Sequence, residues 1–477
     1  MTTQTAEVVT TARFGRLERR GVLLGLGAAQ LSVLTMALLV AVVSVYSAGA
    51  AGFATSALVW LPLAIAATAT VRGRPVVAWV PLILQWRVRR LLGQTSHVTR
   101  PASPAPGILQ IPGIPGALRV SEAPGLGAAL VHDRRRGTVT AIARISGTGF
   151  VLDDDAVQEH KVTSWGRVLG SLCQQPSIVR LQLIVRTVPG GASATRRWWR
   201  EHALAGASWA AQILADLVEE AFAVGHRQEA FIAVALRVPR GSGRRLTEGG
   251  MARLEQDLAA LRDALRGAEL TVDEWIAPGR LGAVLRTAYD PEGTSRGPAH
   301  GDAPSPLLGP MGVQEHWNHL RTDSALHATY WVTEWPRAEV HPSFLQPLLL
   351  APDAYRTITL LAEPLPAGKA LREIRRAKVE HVADAAQRAR IGQIEDESTR
   401  AEVAELNRRE QELVAGHGDL RFTGLVTMTA TTEGELDAAC AATESAAAQS
   451  MCEIRRLVGQ QGLAHVAAAL PLARGVL

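Results

Sequence analysis

Four histidines crowd one stretch of the chain: His316 and His319 within HWNH, then His327 and His341. Three imidazoles suffice to hold zinc, and His316 and His319 would face one way on a helix. No carboxylate pattern that would orient such ligands accompanies them, so they read as packing histidines and no metal is assigned. A second cluster, Arg196, Arg197, Trp198, Trp199 and Arg200, mixes indoles with guanidiniums in the composition that stacks bases and contacts phosphates on single strands. An amphipathic helix with buried indoles explains it more simply, and direct nucleic-acid binding is not expected. The turn DRRRG, Asp133 to Gly137, reads as a solvated loop. Gly368 and Lys369 form the one Gly-Lys pair, but it lacks the upstream glycine and the following Ser or Thr of a phosphate cradle. There is no H-E-x-x-H and no G-x-S-x-G elbow after a strand. Cys173, Cys440 and Cys452 are scattered, which excludes a C-x-x-C ribbon and argues against a disulfide framework. No catalytic residue and no cofactor are assigned, and the chain reads as a non-enzyme.

The elements that must carry these residues begin with an anchor. Of 477 residues 47% are apolar, and the net charge of +5 is too small for this length to imply a nucleic-acid partner. Gly21 to Val71 contains no charged residue. A membrane-crossing helix needs about 20 apolar residues, so the run accommodates two, Gly21 to Val43 and Phe53 to Val71, with a turn marked by Ser44, Ser47, Gly49 and Gly52. A cleaved signal peptide is the competing reading, and the apolar run is too long for it. Arg13, Arg16, Arg19 and Arg20 precede the run, and Arg72, Arg74, Arg87, Arg89 and Arg90 follow it. The positive-inside rule then puts both termini in the cytoplasm and the protein in the inner (plasma) membrane as a multi-pass chain. Residues 72–92 read as an interfacial segment, with Trp79 and Trp86 at headgroup depth and Arg87, Arg89 and Arg90 reaching anionic lipid. The lipid bilayer is thus the first expected partner.

Residues 1–20 form a basic cytoplasmic tail, and 93–116, rich in Pro and Gly, read as a semi-extended linker. Beyond it, 117–290 read as one α+β subdomain. It has a hairpin at Ala128–His132 and Thr138–Ile145, helices at Asp155–Cys173, around Arg196 and at Ser208–Val224, strands at Ile178–Thr187 and Glu229–Val238, and helices over Met251–Leu265 and Pro278–Tyr289. In IVRLQLIVRT, Val179, Leu181, Leu183 and Val185 alternate with polar residues, predicting a strand with one buried face. Residues 291–310 read as a loop, and 311–477 as a second α+β subdomain. Its strands fall at Ala328–Glu334, Arg356–Glu363 and Leu420–Met428, with a helix at Glu433–Ser450 and a short strand at Glu453–Val458. Lys369 to Ala415 is charged helical text far longer than the usual helix of about 11 to 12 residues, so it projects as an arm or folds into a hairpin near Gly392. Its thin apolar stripe suits a partner or its own domain. The fold class is therefore membrane-anchored α+β: two N-terminal transmembrane helices, then a cytoplasmic body with one long charged helix or helical hairpin.

Five segments carry a family likeness: TSWGRVLGSLCQQPSIVRLQLIVRTVPG (Thr163 to Gly190), HWNHLRTDSALHATYWVTEWPRAEV (His316 to Val340), DAAQRARIGQ (Asp384 to Gln393), VAGHGDLRFTGLVT (Val414 to Thr427) and ALPLARG (Ala469 to Gly475). With the apolar N-terminus, they make the chain resemble an actinobacterial family of integral membrane proteins encoded beside the ATPases of type IV secretion-like or conjugation-like systems. In architecture it also resembles the two-span inner-membrane subunit of those systems joined to the non-motor N-terminal domain of their large ATPase. Ala464 to Leu472 is similar to the junction that leads into the motor. The resemblance implies an inner-membrane scaffold subunit in a homo- or hetero-oligomer, docking a separate secretion ATPase beside other membrane subunits. A type VII secretion core subunit resembling EccE is the alternative, and a membrane-anchored enzyme with an unrecognised site is a third.

Overall fold

The computed structural model describes residues 27–71, 73–99, 107–189, 199, 202, 208–221, 226–238, 248–292, 309–336, 340–350, 355–391, 397–415 and 418–475. They fall into two compact units, Arg16–Thr95 and a body from Ser96 to Leu477.

The first unit holds one long apolar helical element, α1 (Ala28–Thr68), whose backbone leaves helical geometry at Ala48 and Gly49, the latter at φ +60°. That break lies inside the stretch Ser44–Gly52. Gln30 Nε2 donates to the Ala67 carbonyl at 2.8 Å. In an unbroken helix those residues would stand about 55 Å apart at 1.5 Å per residue, so the chain reverses at the break. Gly52 permits the reversal, since a Cβ there would lie 2.3 Å from the Ser44 carbonyl oxygen. A two-stranded ribbon, β1 (Thr70–Val71) with β2 (Arg74–Pro75), leads to α2 (Trp79–Leu91).

The body is an α+β protein built on one large sheet. In chain order its elements are β3 (Ser96–Val98), β4 (Ile108–Leu109), β5 (Leu118–Ala123), β6 (Ala128–Asp133), β7 (Thr138–Gly147), α3 (Asp155–Gln174), β8 (Ile178–Pro189), α4 (Trp209–Ala221), β9 (His226–Arg237), α5 (Glu248–Gly267), β10 (Leu270–Trp275) and α6 (Pro278–Tyr289). There follow β11 (Gly312–Glu315), β12 (Leu320–Thr322), β13 (Ala325–Glu334), α7 (Gln346–Leu350), β14 (Tyr355–Leu365), α8 (Ala367–Ile391), α9 (Glu397–Val414), β15 (Asp419–Ala430), α10 (Glu433–Gln449), β16 (Glu453–Arg456) and α11 (Gln461–Ala469). The strand order is β3-β11-β12-β13-β15-β14-β8-β9-β7-β6-β5-β4, with β10 added to β7 and β16 to β13.

That order is a tandem repeat. β5-β6-β7-β9-β8 is matched by β11-β12-β13-β15-β14, and the two halves join through the antiparallel pair β8–β14. The match extends to detail. The first part of β7 pairs with β6 and the rest with β10 across a bulge at Val272/Glu274. The first part of β13 pairs with β12 and the rest with β16, but here the bulged residue, Thr333, lies on the long strand itself, whereas in the first half it is Asp273 on the added strand β10. In each half a helical segment separates the two strands of the long hairpin: α4 lies between β8 and β9, and α8 with α9 between β14 and β15. Because β8 and β14 run antiparallel, the two segments leave the sheet at opposite strand ends. Both halves lie in one compact unit and share one sheet.

Period-two alternation covers both faces of the sheet. On β9, Phe231, Ala233 and Ala235 join the core under α6 and α11, while Ile232, Val234 and Leu236 join the core under α3 and α5. Leu254, Leu258, Leu261 and Leu265, at three- and four-residue steps, seat α5, each worth about 1.5 to 3 kcal/mol of burial. Helix α10 starts at a capping box, Thr432 Oγ1 accepting from Glu435 N.

Three expectations need correction. The polar side of β8 is not solvated: Gln182 and Arg186 are buried with Ile184 between them, because α6, α11 and the C-terminal segment cover that side and present carbonyls that need donors. Part of the expected linker belongs to the sheet, since β3 pairs with β11 and β4 with β5, and Ile111 and Ile114 enter the core. Leu457 and Val458 leave the expected strand, β16, and the text that follows folds as a buried helix, α11, with a strap Leu470–Arg474 behind it. The helix around Arg196 lies outside the described residues except at Trp199 and His202.

Candidate functional site

The first unit carries the expected interfacial residues. Helix α1 exposes apolar surface along its length, Leu38 at 65% and Leu58 at 86%, and it is long and apolar enough to cross a membrane. Helix α2 exposes Val80, Leu84, Val88 and Leu91, positions that share one side of a helix. Trp79 Nε1 donates to the Val71 carbonyl at 3.3 Å, and the Arg90 guanidinium lies 5.3 Å from the Trp86 ring. Arg87 and Arg90 are exposed, and Arg89 is half-buried.

The second locus, missed at the level of sequence, is a polar seam between the sheet and α11. His327 is fully buried and saturated. Its Nδ1 pairs with Thr429 Oγ1 at 2.9 Å, and its Nε2 with Thr322 Oγ1 at 2.8 Å and the Tyr289 carbonyl at 3.0 Å. His465, on α11, places its ring 4.3 Å from that of His327 and 5.0 Å from Tyr289. Gln461 on α11 accepts from Thr329 N at 2.9 Å, Thr329 and Thr427 hydroxyls meet at 3.0 Å, and Thr359 donates to the Ala468 carbonyl. Gln182 Nε2 donates to the carbonyls of Ala467 and Leu470, and its Oε1 accepts from Ala473 N at 2.6 Å. Desolvation pushes the His327 imidazole down to about 4. His465 is also pushed down, by burial first and His327 second, and burial pushes the Tyr289 phenol up.

Beside the seam, Arg186 and Glu229 form a buried cross-strand ion pair at 2.6 Å, with Arg186 4.7 Å from the Phe231 ring. Arg227 at 2.5 Å and Arg144 at 3.7 Å also face Glu229. Burial works to raise the Glu229 carboxyl, and Arg186, Arg227 and Arg144 outweigh it, holding it below the usual carboxylate range.

The long charged stretch is a hairpin. Lys378 on α8 pairs with Glu410 on α9, and His381 Nε2 lies 3.6 Å from Glu402. Ile374, Leu371, Leu406 and Leu413 fill the seam against Leu365. The expected turn near Gly392 lies outside the described residues.

The four histidines do not converge. His316 and His319 stack at 4.4 Å between β11 and β12 rather than along a helix, because those segments pair as strands. His327 belongs to the seam, and His341 Nδ1 pairs with Ser343 at 2.6 Å. Among the described residues no group of three or more His, Cys, Asp or Glu is arranged to hold a metal ion. Of the Arg/Trp cluster, Arg196, Arg197, Trp198 and Arg200 lie outside the described residues. No protein-family model matches the chain, and no curated protein matches it.

Proposed function

We propose that this chain is an inner-membrane scaffold subunit of a type IV secretion-like or conjugation-like apparatus, whose cytoplasmic body docks a separate ATPase and contributes no chemistry of its own. The two halves of α1 are then two membrane spans, with both termini cytoplasmic and α2 lying in the headgroup layer through its apolar side and Arg87, Arg89 and Arg90. The observation that carries this reading is the exposed apolar surface of α1, since hydrocarbon covers such surface at no desolvation cost whereas water does not. Each half is about 20 residues, the length one crossing needs.

The body supports a docking role through its paired helical segments. The charged hairpin α8–α9 packs on a small core that includes Leu365 at the end of β14, and α4 exposes Trp209, Ile213, Leu214 and Leu217. Anchoring this body and the ATPase to one membrane raises their effective concentration, so individual contacts can be weak. Affinity purification from gently solubilised membranes tests the assignment. A type IV-like ATPase is expected among the captured proteins, and recovery of type VII core subunits in its place would move the chain to the EccE-like alternative. Nucleotide hydrolysis by the purified chain alone would contradict both.

A further inference from the structure

At the end of the sheet where the β6–β7 turn meets the start of β8, a cavity of about 100 Å³ opens. Three guanidiniums from three separate pieces of chain line it: Arg136 from the turn, Arg180 from β8 and Arg474 from the C-terminal strap, with Asp133, Thr138 and Ala473 among the other walls. Two of the three are partly spoken for. Arg180 pairs with Glu363 and donates from Nη1 to the Ala473 carbonyl at 2.9 Å. Arg474 Nη2 lies 2.9 Å from Asp133 Oδ2. Arg136 is exposed, and no carboxylate lies within ion-pair distance of it among the described residues. Three cations against Asp133 and Glu363 leave one positive charge in excess. Arg474 Nη1 is a buried donor with no hydrogen-bond acceptor, and a buried donor left unmade costs about 1 to 3 kcal/mol.

We infer that this cavity is a binding site for a phosphate group, either free phosphate or the terminal group of a phosphomonoester. The cavity has room for a tetrahedral oxyanion and opens to solvent, so a phosphate group can enter with the rest of its molecule outside. Guanidinium donors from three separate pieces of chain line the cavity, which suits the several oxygens of a phosphate better than the two coplanar oxygens of a carboxylate. A singly charged phosphate would cancel the excess charge, and in either charge state its oxygens would give Arg474 Nη1 an acceptor. Partial desolvation and then the Arg180 guanidinium push Arg136 below the usual arginine range, and burial does the same to Arg474 against the pull of Asp133, with the Arg136 and Arg180 guanidiniums adding to it. An anion between them would relieve that repulsion. This site lies within the body and does not depend on the scaffold assignment.

The test is a thermal melt of the full chain in mild detergent, titrated with inorganic phosphate, methyl phosphate, acetate or chloride at constant ionic strength. Inorganic phosphate is expected to raise the melting temperature saturably, and acetate and chloride are not. An equal response to methyl phosphate assigns the site to phosphomonoesters, and a response to inorganic phosphate alone assigns it to the free ion. Arg136→Gln, an exposed substitution that strands no partner, is expected to weaken phosphate binding about tenfold or more, the loss of one charge-assisted hydrogen bond, without changing the melting temperature in chloride. A melt that phosphate does not shift, a shift that acetate reproduces, or full retention in Arg136→Gln would overturn the proposal.

Discussion

Acidification attacks the seam beneath α11. His327 is fully buried, held by hydrogen bonds to Thr429, Thr322 and the Tyr289 carbonyl, and its imidazole is pushed down to about 4. In the unfolded chain it titrates near 6.5. The folded state therefore keeps it neutral while the unfolded state gains a proton below about pH 6.5. The stabilisation is complete above that value and is lost as the pH falls toward 4. From those two values, His327 alone removes about 2 kcal/mol of stability between pH 7 and pH 5. His465, also pushed down and 4.3 Å away, adds to the loss in the same direction. Asp290 and the Tyr289 carbonyl favour the charged form of His327 but do not overcome burial. Tryptophan-fluorescence melts of the full chain in detergent at pH 7, 6 and 5 should show a progressive drop of several degrees. The drop should shrink in His327→Gln and shrink further when His465→Gln is added, even though both variants start lower at pH 7. An unchanged pH dependence in the double variant would refute this reasoning.

Other substitutions report on other parts of the body. Glu229→Gln strands Arg186 beside Phe231 and is expected to cost about 3 to 5 kcal/mol, read as a lower melting temperature, whereas Glu380→Gln on the exposed side of α8 leaves it within error. Gln182→Leu removes the partner of the Ala467 and Leu470 carbonyls and of Ala473 N. It should cost about 2 to 5 kcal/mol and raise hydrogen exchange selectively in residues 467–474. Thr432→Ala deletes the cap of α10 and should cost about 1 kcal/mol, seen as a small loss in melting temperature with the sheet intact.

The sequence made the long, regularly patterned elements legible. The α5 leucines, Pro at the start of α6, and the turn residues Asp133–Gly137 each declare their element through spacing that depends on local geometry alone. Short strands such as β11 and β12 carry too few residues to show a period, and they exist because a neighbouring strand offers its free edge. The same tertiary logic hid the seam. Gln182 and Arg186 alternate with apolar residues as a solvated strand would, and nothing in that pattern reveals that α6 and α11 lie over them. The tandem repeat was equally silent, because it survives in pairing order rather than in residue identity. His327 and His465 stand 138 residues apart, and only the return of α11 over β13 joins them. One signal was available: an alanine-rich helix bearing Gln461 and His465 is too polar for a helix buried by apolar packing alone.

The scaffold role needs α1 as a membrane-inserted reversal, and residue accessibility in sealed cells tests that most directly. In a background with Cys173, Cys440 and Cys452 replaced, an impermeant maleimide applied from outside should label Ala48→Cys at the reversal and leave Ser96→Cys unlabelled until the membrane is opened. Labelling of Ser96→Cys in intact cells, or recovery of the unlabelled chain in the soluble fraction without detergent, would contradict it.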